Sequence, residues 1–210
     1  RWWSLPAETW GCVVTIGITV FVSIMVPLVT EWFTGIPTVV EEAQYKLDHG
    51  DYSGAFELYA RVDCHDLDDE TASIVFNNRG FALEKLGRTQ AAVANYTKGL
   101  QRLPNDIVLL LNRAQAHRDL GQISAAIGDL ENVMQQRPPT ALDYEFAGLL
   151  YEKDGNSKKA LANYDLSIKM DQAAASVWFN RGDLYRKLQD LPKAIEDLTK
   201  AIALGEQIEL

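Results

Sequence analysis

A chain of 210 residues in which 47% are hydrophobic is long enough for one or two packed domains and too apolar for a disordered polymer. Its formal charge of −9 repels phosphates and anionic headgroups, which excludes nucleic acid as a ligand and directs attention to neutral or basic protein surfaces. The two cysteines, Cys12 in an apolar run and Cys64 in a polar loop, are poorly placed to pair, so cysteine usage leaves the redox compartment open.

In chain order, residues 1–8 read as an interfacial segment and residues 9–33 as a transmembrane helix. No charged side chain stands between Glu8 and Glu31. As a helix, positions 9 to 30 would rise about 33 Å, close to the roughly 30 Å of bilayer hydrocarbon. Trp2, Trp3 and Trp10 mark one end, and Trp32 with Phe33 the other, where indole rings favour the headgroup layer. A buried core helix rarely carries so long an uncharged run, and a signal peptide has a basic start and a shorter apolar stretch. Gly11, Thr15, Thr19 and Ser23 recur every fourth residue and would let a second helix approach closely, although hydroxyls also persist in lipid by bonding their own backbone. Arg1 precedes the run, whereas Glu31, Glu41 and Glu42 follow it, which favours an N-terminus on the cytoplasmic-like side and the remainder in a lumen or periplasm.

Past residue 35 the chain repeats itself. Gly50, Gly87, Gly121 and Gly155 are spaced by 37, 34 and 34, with Gln189 another 34 on. Five residues after each stands alanine (Ala55, Ala92, Ala126, Ala160, Ala194), and seven before each stands Ala43, Gly80, Ala114, Gly148 or Gly182. A 34-residue period signals stacked helix-turn-helix units. Two antiparallel helices close together only where their crossing carries no bulk, and Tyr59, Tyr96, Leu130, Tyr164 and Leu198 then fill the space around it. Pro104 and Pro138 mark unit ends.

These positions resemble the tetratricopeptide repeat family over about residues 36–208. The resemblance implies an all-α chain: one transmembrane helix, then an α-solenoid of five units at 36–69, 73–106, 107–140, 141–174 and 175–208. The first unit diverges most, with Glu42 and Lys46 at positions the family fills with apolar residues and three extra residues before the next unit. The fifth lacks the turn glycine.

Little points to catalysis. His49 and His65 fall in polar turns and His117 on a first helix, where a packed or surface histidine is the ordinary reading. The run from Asp63 to Glu70 lacks the glycine and alternation of a calcium loop and has no second Cys/His pair for zinc. With no phosphate loop, nucleophile elbow or metal-helix motif, neither enzyme activity, cofactor nor metal is expected. The sequon at Asn95 is discounted because Tyr96 is placed in the core.

In a solenoid of this family the first helices line a groove. Asn78, Asn112 and Asn180 recur there, each before an arginine, and the fourth unit breaks the series with Phe146. Asparagine offers both a donor and an acceptor to an extended partner, but it can equally brace neighbouring units. Arg186 and Lys187 would add positive charge at the C-terminal end. The family's clamp for chaperone C-terminal carboxylates needs lysine and asparagine where this chain has Val40 and Gln44, which disfavours a chaperone-tail adaptor. The resulting expectation is a non-catalytic scaffold binding protein partners, chiefly an integral membrane complex, and the bilayer through residues 9–33. An anchored receptor for incoming polypeptides is the alternative, and a regulatory subunit of an enzyme a more distant one.

Overall fold

A computed structural model describes residues 39–205. Its regular elements are all helices, in two compact units divided between Val62 and Asp63. The expected membrane span and its Gly11, Thr15, Thr19 and Ser23 lie outside the described residues. Among those described, no helix is long and apolar enough to cross a membrane.

The first unit contains α1 (39–48) and α2 (Tyr52–Arg61). They form a helix pair despite the divergent sequence: Ala43, Ala55 and Tyr59 are fully buried, and the Tyr59 hydroxyl donates to Gln44 Oε1 at 3.1 Å.

The second unit contains α3 (Asp69–Lys85), α4 (Thr89–Arg102), α5 (Ile107–Asp119), α6 (Ile123–Gln136), α7 (Ala141–Lys153), α8 (Ser157–Met170), α9 (Ala175–Lys187) and α10 (Leu191–Gly205). Consecutive helices pair as α3 with α4, α5 with α6, α7 with α8 and α9 with α10, and each second helix then packs on the next first helix. Helix α3 begins one turn before the expected unit boundary at 73. The Asp68 carboxylate caps it by accepting from the Thr71 N–H at 2.9 Å, and Asp69 and Glu70 favour its positive end.

The turns follow from one backbone requirement. Gly50, Gly87, Gly121 and Gly155 have φ of 78°, 72°, 73° and 77°, a conformation that lets two backbone N–H groups turn back onto the last carbonyls of the first helix. In the second pair, Arg88 N donates to Leu83 O at 2.8 Å and Gly87 N to Glu84 O at 2.9 Å. Gln189 adopts the same conformation at φ 63°, with Asp190 N on Tyr185 O at 3.0 Å. The turn survives the loss of its glycine.

At the crossings, small residues face large ones. A Cβ on Gly80 would sit 2.5 Å from the Tyr96 ring, and one on Gly148 would collide with Tyr164 in the same way. Ala114 shares its core cluster with the slimmer Leu130. Tyr96 and Tyr164 are fully buried and donate their hydroxyls to Glu84 at 3.2 Å and Glu152 at 3.0 Å. Burial, aided by those carboxylates, pushes both phenols up.

Candidate functional site

The first helices of the second unit carry a row of aliphatic side chains that the packing leaves outside. Ile74 on α3, Val108 on α5 and Leu142 on α7 stand 34 residues apart, and all three are exposed. Between α5 and α7, Leu142 joins Leu111, Asn112, Gln115, Thr140 and Phe146 around an open cleft. The sequence contains the signal for this row, the 34-residue spacing itself. Sequence reasoning missed it because an aliphatic residue on an amphipathic helix is read first as core.

The asparagines lie on these helices, half-buried. Asn112 Nδ2 donates to Asn77 Oδ1 at 2.8 Å, and Asn77 Nδ2 donates to Asn78 Oδ1 at 3.2 Å. Asn180 Nδ2 donates to Glu145 Oε1 at 3.2 Å. Asn112 and Asn180 therefore tie one first helix to the preceding one. Each bond uses one group of a carboxamide that offers two N–H donors and a carbonyl. Where the fourth pair has Phe146, that ring packs against the core around Ala114 and Leu130, with the Arg118 guanidinium 5.7 Å from its centroid.

The arginines that follow two of these asparagines act toward the second helices. Arg113 clasps Asp129 on α6, Nε to Oδ2 at 2.9 Å and Nη2 to Oδ1 at 2.6 Å, while Nη1 reaches Thr97 on α4 at 3.1 Å. In the fourth pair the corresponding positions are Ala147 and Asn163, and Asn163 bonds back to Lys159 O of its own helix at 2.8 Å.

The positive charge expected from Arg186 and Lys187 is met by acids. Arg186 Nη2 lies 2.6 Å from Asp183 Oδ1, and Lys187 Nζ lies 2.7 Å from both Glu152 Oε1 and Asp183 Oδ2. The Lys187 ammonium, with Arg186, holds the Asp183 carboxyl below the usual range. Among the described residues no group of three or more His, Cys, Asp or Glu side chains converges as a metal site. In the acidic loop, Asp68 caps α3, Asp69 pairs with Arg102 at 2.6 Å, and Cys64 is buried, which pushes its thiol up. His117 Nδ1 lies 2.6 Å from Gln122 Oε1, and His49 Nδ1 lies 2.7 Å from Tyr45 O.

Family profiles described as tetratricopeptide repeat match residues 75–106 and 175–207, which fall on α3–α4 and α9–α10. Each of these two stretches therefore reads as a tetratricopeptide repeat. A TPR repeat-containing protein of Methanocaldococcus jannaschii is 28% identical over 159 residues, covering 75% of this chain and 27% of its own length. The Hsp70-Hsp90 organizing protein of Triticum aestivum is 26% identical over 131 residues, covering 60% of this chain and 22% of its own length. Sperm-associated antigen 1 of Mus musculus is 32% identical over 93 residues, covering 44% and 10%. The chain thus spans between 10% and 27% of the length of these relatives. Among solved structures, MamA 41-end from Desulfovibrio magneticus RS-1 superposes with a TM-score of 0.76 at 23% identity, covering 82% of this chain and 96% of that one. A second MamA crystal structure gives 0.71 at 20% identity, covering 80% and 96%. At such identities the likeness establishes the fold alone, an all-α solenoid. The repeats support a scaffold for protein–protein interaction.

Proposed function

We propose that this chain is a non-catalytic, membrane-anchored scaffold whose first-helix face holds a protein partner during the assembly or within the architecture of a membrane protein complex. The observation that carries this reading is the exposed row Ile74, Val108 and Leu142, repeated at the period of the fold beside the Asn112–Phe146 cleft. Leaving three aliphatic side chains in water at one repeat phase has no use in packing this chain, whereas a partner that covers them gains hydrophobic burial. Asn112 lines the same cleft as Leu142, and Asn78 and Asn180, at the same repeat phase, would likewise offer carboxamides to a partner backbone. Anchoring rests on the uncharged run within residues 9–33, and the charge bias around it directs the repeats to the non-cytoplasmic side.

The test is extraction and co-purification. The full-length chain should resist carbonate washing and should come out of detergent-solubilised membranes with a partner in fixed stoichiometry. A chain that washes off with carbonate contradicts the anchor. Sub-stoichiometric capture of many polypeptides would favour an anchored receptor over an architectural role.

A further inference from the structure

The guanidinium that ties the third and the fifth helix pairs to their predecessors is missing from the fourth. Midway between Arg113 and Arg181, at the same point of α7, stands Ala147. Each arginine clasps an aspartate on the second helix of its own pair, Asp129 or Asp197, and extends Nη1 to the second helix of the pair before, to Thr97 or to Asp165. The matching places around Ala147 are Asn163 on α8 and Glu131 on α6. Asparagine is no bar to a cation at this point of the repeat, since the second pair combines Arg79 with Asn95.

The room for such a side chain is there. Ala147 is buried, and it lines a cleft of about 220 Å³ between α6, α7 and α8, to which Leu130 and Met134 give an apolar wall and Glu131, Tyr151 and Asn163 a polar one. That volume is small for a drug-sized molecule and suits a single side chain. The polar groups also match those that hold the arginines of the other pairs. Glu131 Oε1 accepts from the Tyr151 hydroxyl at 3.2 Å, a neutral donor on an ionisable acid. Asn163 donates through Nδ2 to Lys159 O at 2.8 Å, which leaves its carbonyl as an acceptor. In the fifth pair the Tyr185 ring meets two cations, Lys193 Nζ at 5.0 Å and the Arg181 guanidinium at 5.9 Å from its centroid. Its counterpart Tyr151 keeps the lysine, with Lys159 Nζ at 4.7 Å, and has alanine in place of the arginine. A planar guanidinium can bond two acceptors while lying against a ring, whereas an ammonium is a compact and more strongly hydrated charge.

We propose that the cleft at Ala147 receives an arginine side chain presented by a protein partner. The incoming guanidinium donates to Glu131 and to Asn163 Oδ1 and lies beside the Tyr151 ring, completing from outside the tie that Arg113 and Arg181 make from within. A basic segment is the occupant that charge favours, because the chain as a whole carries −9. The cleft shares no lining residue with the one beside Leu142, so it is a second site, independent of the Ile74–Val108–Leu142 row.

Methyl NMR of the full chain in detergent, labelled at alanine and methionine, tests this with N-acetylarginine methylamide, its neutral citrulline isostere and free L-arginine. The Ala147 and Met134 signals should shift saturably with the blocked arginine, and about tenfold more weakly or worse with the citrulline compound, which lacks the charge. Glu131→Gln, altered at an exposed position, should weaken the blocked arginine by about fivefold or more. Ala147→Arg should abolish the shift of Met134, because the chain then fills the cleft with its own guanidinium. Should that variant fail to fold, Glu131→Gln and the citrulline comparison decide without it. No saturable shift, equal binding of the citrulline compound, or unchanged affinity in Glu131→Gln would overturn the proposal. Free L-arginine binding about tenfold tighter than the blocked residue would also overturn it, and would assign the cleft to a small molecule instead of a partner.

Discussion

Arg181 on α9 grips Asp197 on α10 with two hydrogen bonds of 2.8 Å, Nε to Oδ2 and Nη2 to Oδ1, and reaches Asp165 on α8 with Nη1 at 2.5 Å. One guanidinium thus joins both helices of its own repeat to the repeat before. The Asp197 side chain is almost wholly enclosed, so removing the cation strands a buried carboxylate. Arg181→Leu should cost about 3–5 kcal/mol, and Arg181→Leu/Asp197→Leu should recover much of the loss because both charges leave together. Urea unfolding of the two variants and the wild type measures both numbers.

Gln189 holds a φ of 63° where four other turns use glycine. A side chain in that region costs roughly 1–2 kcal/mol, partly offset by the freedom glycine gains when unfolded. Gln189→Gly should therefore raise stability by about 0.5–1 kcal/mol, and Gly155→Ala should lower it by about 1 kcal/mol. Melting temperatures moving in opposite directions would confirm the shared turn.

Gly148→Ala should destabilise by about 1–3 kcal/mol, since the added methyl meets the enclosed Tyr164 ring. In the preceding pair Ala114 sits beside Leu130. Tyr164→Leu should accordingly cost less in the Gly148→Ala background than in the wild type, and a double-mutant cycle on unfolding free energy reads that coupling.

Asp143, a buried carboxyl, should contribute to acid sensitivity. Burial opposes its charge, but the Arg137 guanidinium at 2.6 Å and the backbone N–H and hydroxyl of Thr140 outweigh it, leaving the carboxyl below its ordinary 3.8. Because the folded value lies below the unfolded one, the stabilisation is present above pH 3.8 and is lost as pH falls through the lower folded value. Asp143→Asn should flatten the acid limb of the stability profile between pH 5 and pH 2.

Much of the fold is legible in the sequence because sterics permit few residues at its critical points. A left-handed turn and a close helix crossing each restrict the choice, and both recur at 34 residues; this is why Gly87, Gly121 and Gly155, with Gly80, Ala114 and Gly148, announce their units. Gln189 shows how far a strong pattern tolerates one departure. The site is less legible. An asparagine can bond across to a partner or along to its neighbour, and only the folded chain shows that Asn112 reaches Asn77 and Asn180 reaches Glu145. Ile74, Val108 and Leu142 carry the right period, yet their chemistry reads as core until packing leaves them outside. Lys187 reads as free charge until Glu152, 35 residues earlier, is brought beside it.

The two candidate roles of the first-helix face separate by variant. Asn112→Ala/Asn180→Ala removes two inter-helix bonds worth about 0.5–1.5 kcal/mol each and should lower the melting temperature. Ile74→Asp/Val108→Asp/Leu142→Asp alters only exposed positions and should leave it nearly unchanged.

The direct test of the account is the affinity of that triple aspartate variant for the partner that co-purifies with the full-length chain. Burying three aliphatic side chains at about 1.5 kcal/mol or more each predicts a loss of over a hundredfold, in a protein that melts as the wild type does. A folded triple variant that binds the same partner with unchanged affinity would contradict the assignment of this face.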